Sequence, residues 1–143
     1  GLMFLDATLS KLGEVLQELR CNDNLMQDLP RDLTLLTDLT VLELGQNNFQ
    51  EIPVDVCELV TLRTLAFPMN LLQSIPSRIG ELADLQELIL SSNQIATVPP
   101  EVKLLHQLKV LMLDDNILEV VPAEMGALGQ IKTLSLASNR LSA

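Results

Sequence analysis

From Leu16 onward the same pattern returns every 23 residues, and this period constrains the chain more than any other feature. Registered on Leu16, Leu39, Leu62, Leu85, Leu108 and Ile131, the fourth slot of each unit is Leu19, Leu42, Leu65, Leu88, Leu111 or Leu134. The sixth slot holds Cys21, Leu44, Phe67, Leu90, Leu113 or Leu136. The ninth is asparagine in every unit, at Asn24, Asn47, Asn70, Asn93, Asn116 and Asn139. An apolar residue then precedes Pro30, Pro53, Pro76, Pro99 or Pro122, and the units close on Leu36, Leu59, Leu82, Leu105 and Leu128. A unit this short cannot bury its own leucines, so copies must stack and bury them against one another.

Each slot has a physical reading. Slots four and six alternate with polar residues, the period of a strand with one buried face. An asparagine side chain offers two donors and an acceptor, so a ladder of asparagines can satisfy the turn backbone where each strand ends. Proline fixes φ and gives up an N–H as the chain re-enters the core. Beyond it apolar residues recur every third position, as at Val102, Leu105 and Leu108, a spacing that suits a 3₁₀ or irregular turn better than an α-helix.

With these slots in place, the unit Leu85–Gln107, "LQELILSSNQIATVPPEVKLLHQ", resembles the leucine-rich repeat in its 23-residue intracellular class, the class of Ras-pathway scaffold proteins. The resemblance covers most of the chain, from Leu16 to Leu141. It implies an α/β fold: a solenoid with a curved parallel β-sheet on the concave face and 3₁₀, short-helix or irregular structure on the convex side. It also implies a non-enzymatic scaffold that binds a protein, in a cytoplasmic setting. Two other roles fit the same family: a structural subunit of a larger assembly using its ends and convex side, or the targeting region of a longer multidomain protein. Acidic family members that bind histones are a narrower variant.

The expected organisation is residues 16–143 as five full repeats plus a truncated sixth, with residues 1–15 an N-terminal cap or degenerate repeat. The stretch Leu2–Leu12, "LMFLDATLSKL", supports either view. Leu2, Leu5, Ala7, Ser10 and Leu12 match repeat slots, whereas Leu9, Leu12 and Leu16 have helical spacing with Thr8 or Ser10 near the start. The last residues stop just past the sixth asparagine without a polar capping unit, so a longer native chain or a covering partner is expected.

Charge and composition narrow the function further. Nineteen acidic against nine basic side chains give a formal charge of −10, which argues against a nucleic-acid partner, whose affinity comes from clustered Lys and Arg. No apolar run approaches the ~18 residues of a membrane span, and the opening "GLMFL" lacks the basic flank of a signal peptide. Two cysteines form no disulfide framework, and none of the eight asparagines begins an Asn-x-Ser/Thr acceptor.

Little in the sequence points to catalysis, to a cofactor or to a metal. There is no phosphate-cradling glycine loop, nucleophile elbow or metal-ligand spacing. His106, the single histidine, falls on the convex side, Cys57 lies on the same side two units earlier, and Cys21 takes an inward slot. Asp114-Asp115 lacks a third ligand and reads as a solvated acidic pair.

A partner would meet the outward columns of the sheet, from the third, fifth, seventh and eighth slots. Their centre is apolar, at Ala66, Pro68, Met69, Ile89, Val110 and Met112; Glu87, Asp114 and Asp115 rim it, and Glu43 belongs to the charge clustered toward the first two units. An apolar centre inside a polar rim is the anatomy of a protein interface, and methionines adapt their shape to a partner. These ten residues are the candidate binding site, and a helix or loop with basic flanks is the expected occupant. Pro68 sits where the strand is ending, so its missing N–H should remove at most one ladder bond.

Overall fold

A computed structural model describes residues 9–142 of the chain. It contains six three-residue strands: β1 (Glu18–Arg20), β2 (Val41–Glu43), β3 (Thr64–Ala66), β4 (Glu87–Ile89), β5 (Val110–Met112) and β6 (Thr133–Ser135). They form one parallel sheet in chain order. Each strand pairs with its own copy 23 residues later, as in Leu42↔Leu65 and Leu65↔Leu88. The ladder extends past the strands: the Phe67 N–H donates to the Ile89 carbonyl at 2.9 Å and the Leu90 N–H to the Met112 carbonyl at 2.8 Å.

The returning side carries five 3₁₀ helices, η1 (Arg31–Leu35), η2 (Val54–Glu58), η3 (Ser77–Glu81), η4 (Pro100–Leu104) and η5 (Ala123–Ala127). Each begins directly after the unit's proline, whose φ lies between −55° and −71°. Each ends on the closing leucine, whose N–H bonds back three residues, for example Leu82 to the Ile79 carbonyl at 3.1 Å. Only a 5-residue run separates proline from leucine, a short piece of the kind 3₁₀ geometry serves.

The fourth and sixth slots point inward with the closing leucines. Leu42, Leu65, Leu88 and Leu111 are fully buried, as are Leu44, Phe67, Leu90 and Leu113. Phe67 packs edge-on against Phe49 with ring centroids 5.2 Å apart, an arrangement aromatic quadrupoles favour. Asn47, Asn70, Asn93 and Asn116 are buried among these apolar residues. Each donates to carbonyls of its own turn and to one in the preceding unit; Asn70 Nδ2 reaches the Leu44 carbonyl at 2.9 Å and the Phe67 carbonyl at 3.2 Å. Its Oδ1 accepts the Phe49 N–H at 3.0 Å. The asparagines therefore stitch consecutive units together as well as closing their own turns, and no buried side-chain polar atom among the described residues lacks a partner.

At the amino end residues 9–12 are helical; Leu9 is buried and Leu12 packs on the core. The repeat slots expected at Leu2, Leu5 and Ala7, and Thr8 as a candidate helix start, lie outside the described residues. Cys57, expected on the convex side, does sit in η2, and its side chain is fully buried there.

Candidate protein-binding face

The outward residues of the strands are the third and fifth slots. In register these run Thr64, Glu87, Val110 and Ala66, Ile89, Met112 across β3 to β5. Ile89, Val110 and Met112 are half-buried, Glu87 is exposed, and each neighbours the next strand at the ~4.8 Å spacing of a sheet. The apolar centre expected from the sequence is therefore contiguous at Ile89, Val110 and Met112. Ala66 contributes less than expected: its methyl lies between Glu43 and Ile89 in register and is 6% exposed, so it is part of the floor.

The eighth slot is not a strand column. Asp23, Gln46, Met69, Ser92, Asp115 and Ser138 all adopt left-handed backbone, with φ between 54° and 58°. They turn the chain off the sheet, which places Met69 and Asp115 at the rim and not at the centre of the face. Met69 is 53% exposed there, and Leu71, two residues on, is also exposed. A signal for this turn was present in the sequence: no residue of the column is β-branched, the type that tolerates positive φ least.

Pro68 removes no ladder bond at all. The bonds leaving the end of each strand come from the sixth and eighth slots, and the Pro68 carbonyl still accepts the Gln46 N–H at 2.8 Å. Its ring lies against Gly45, where a Cβ would come within 3.0 Å of Pro68 Cγ.

The charged residues divide the face. At its amino end Arg20 bonds Glu18, and its Nε lies 3.1 Å from Glu43 Oε2. Asn22 Nδ2 donates to the same Glu43 oxygen at 3.3 Å. At the other end the Ser91 hydroxyl donates to Asp114 at 2.7 Å and the Ser92 hydroxyl to Asp115 at 3.4 Å. Neither aspartate is ion-paired to a Lys, Arg or His among the described residues.

Two polar clefts lie on the edges of the solenoid and contain none of the ten expected site residues. One, of about 460 Å³, is lined by Gln27, Asn48, Gln50, Glu51, Gln73 and Ser74. The other, of about 420 Å³, is lined by Gln17, Asp38, Thr40, Thr61, Arg63 and Asp84. Their residues recur at the same polar slots of successive units, as Gln27, Gln50 and Gln73 do. Burial pushes the Cys57 thiol up to about 11, partly offset by Arg78, and pushes the Cys21 thiol up as well. A thiol held in that state is a poor nucleophile at neutral pH. The described residues include no group of three or more His, Cys, Asp or Glu placed to hold a metal, and no helix long and apolar enough to cross a membrane.

The family profile described as "Leucine-rich repeat region" matches residues 55–142, more than half of the chain. A search of curated proteins by sequence gave no match. Among solved structures, a leucine-rich repeat protein of Leptospira interrogans is 34% identical with a TM-score of 0.87, over 90% of this chain and 33% of that one. The ectodomain of the membrane receptor kinase GASSHO1/SCHENGEN3 from Arabidopsis thaliana, solved in complex with Casparian strip integrity factor 2, is 33% identical with a TM-score of 0.80, over 91% of this chain and 17% of that one. An internalin of Listeria monocytogenes is 25% identical with a TM-score of 0.76, over 90% of this chain and 36% of that one. The chain thus spans little more than a third of these proteins at most.

Proposed function

The chain belongs to the leucine-rich repeat family, and from that premise we propose that it is a protein-binding module that grips its partner with the concave face. The observation that carries this reading is the register of β3 to β5, which holds Ile89 beside Met112 with Val110 two residues away. Side chains fixed on a sheet lose little freedom on binding, so they serve well as apolar anchors. Met69 extends the same surface to the rim. The ectodomain solved with Casparian strip integrity factor 2 lends support, as a related solenoid with a bound ligand. The reading includes an intracellular setting and no catalytic step.

The test uses Ile89→Asp and Met112→Asp, with Val60→Asp as a control on the convex side, where Val60 is 58% exposed. Both face variants are expected to lose affinity capture of the partner while melting within a few degrees of the parent chain. The control should behave as the parent. Retention of the same captured partner by both face variants would falsify the concave-face reading.

A further inference from the structure

The charges on the sheet face are unevenly satisfied. At the amino end Glu18 and Glu43 both engage Arg20, and Asn22 adds a donor to Glu43. That acidic cluster is already answered within the chain. At the other end Asp114 and Asp115 receive only the hydroxyls of Ser91 and Ser92. A carboxylate has room for about four hydrogen bonds, so each keeps open acceptor sites, and Asp114 is oriented by its 2.7 Å bond from the preceding unit. Asp114 and Asp115 follow Met112 by two and three residues, just past the end of β5, where the left-handed turn at Asp115 takes the chain off the sheet. A negative pair without an ion-pair partner among the described residues therefore lies at the rim, next along the chain from the anchors Val110 and Met112.

Resting on the concave-face reading above, we infer that the occupant is a segment of a protein partner carrying an apolar side chain and, within a few residues of it, a lysine or arginine. The apolar side chain seats on Ile89 and Met112, and the cation reaches Asp114 and Asp115. Charge complementarity selects this occupant: an acidic or phosphorylated segment would meet like charge at the rim, which disfavours wrong partners strongly. Glu43, although acidic and on the same face, takes no part because Arg20 holds it.

The experiment pans a random peptide library displayed on phage against the whole chain and measures the enriched peptides by titration at low and high salt. Enriched peptides are expected to carry Lys or Arg within a few positions of an apolar residue. Asp114→Asn with Asp115→Asn should weaken them about fivefold at low salt and flatten the salt dependence, the signature of a rim charge. Glu43→Gln should change neither. The assignment is overturned if nothing is enriched, if enriched peptides show no basic preference, or if the double variant keeps both affinity and salt dependence. It is likewise overturned if the face binds a second copy of the chain, read as a dimer that Ile89→Asp dissolves. Peptides that bind Ile89→Asp unchanged would instead remove the concave-face reading itself, so the two failures are told apart.

Discussion

Asn93 and Asn24 hold the same slot of the repeat with different consequences. Asn93 is buried; its Nδ2 donates to the carbonyls of Phe67, Leu90 and Ser91, and its Oδ1 accepts the Leu72 N–H at 3.0 Å. Asn24 is exposed and, among the described residues, bonds the Cys21 and Asn22 carbonyls of its own turn. The leucines of the fourth slot diverge in the same way, since Leu111 is fully buried in β5 whereas Leu134 is 46% exposed in β6. A slot specifies a conformation, but its energetic weight comes from the unit stacked on it, as nearest-neighbour solenoids require.

Substitutions in paired slots test that contrast, beginning with the sixth. Phe67→Ala should cost about 3–5 kcal/mol, since it opens a buried volume and removes the edge contact to Phe49. Leu136→Ala, half-buried in the last unit, should cost about 1 kcal/mol. Urea unfolding of the two variants measures both, and equal losses would break the contrast. The ninth slot comes next: Asn93→Ala strands a buried N–H and several carbonyls, for about 2–3 kcal/mol, while Asn24→Ala should cost roughly 0.5 kcal/mol or less. Asn24→Ala as damaging as Asn93→Ala would show that the turn, not the stitching, is what matters.

The smallest effect concerns the thiols. At pH 8 Cys21, half-buried in the first unit, should react with a thiol reagent before the buried Cys57 does. Cys57 also predicts a pH response. Its folded pKa of about 11 lies above the ordinary thiol value of 9.0, so between those limits the unfolded chain releases a proton that the folded chain keeps. Fewer protons bound in the unfolded state means stability falls as pH rises through that window. It should be flat below it, and Cys57→Ala should remove that part of the slope.

Much of this was legible in the sequence because the repeat gives every residue a slot. The alternation at Leu42 and Leu44, the prolines ahead of η1 to η5 and the buried asparagines could all be read before any coordinate was known. Less legible was whatever depends on the neighbouring unit. Ala66 looks outward by its slot, yet Glu43 and Ile89 on either side cover it. Met69 looks like a strand residue until the left-handed turn moves it to the rim. Arg20 and Glu43 come from different units, so their pairing, which separates an answered charge from an open one, needed the stacking register.

The close approach of Pro68 to Gly45 has a counterpart on the other side of the solenoid, where a Cβ at Gly80 would lie 2.9 Å from Leu104 Cδ1 and 3.0 Å from the Glu101 carbonyl. Each glycine is a notch cut for a projection on the following unit. The units are thus similar in pattern but not interchangeable: a shuffled array that set the third unit's proline over Ser91 or Asp114 would find no notch there. Sequence order along the solenoid is written into steric complementarity between neighbours, and with it the order in which outward residues are displayed.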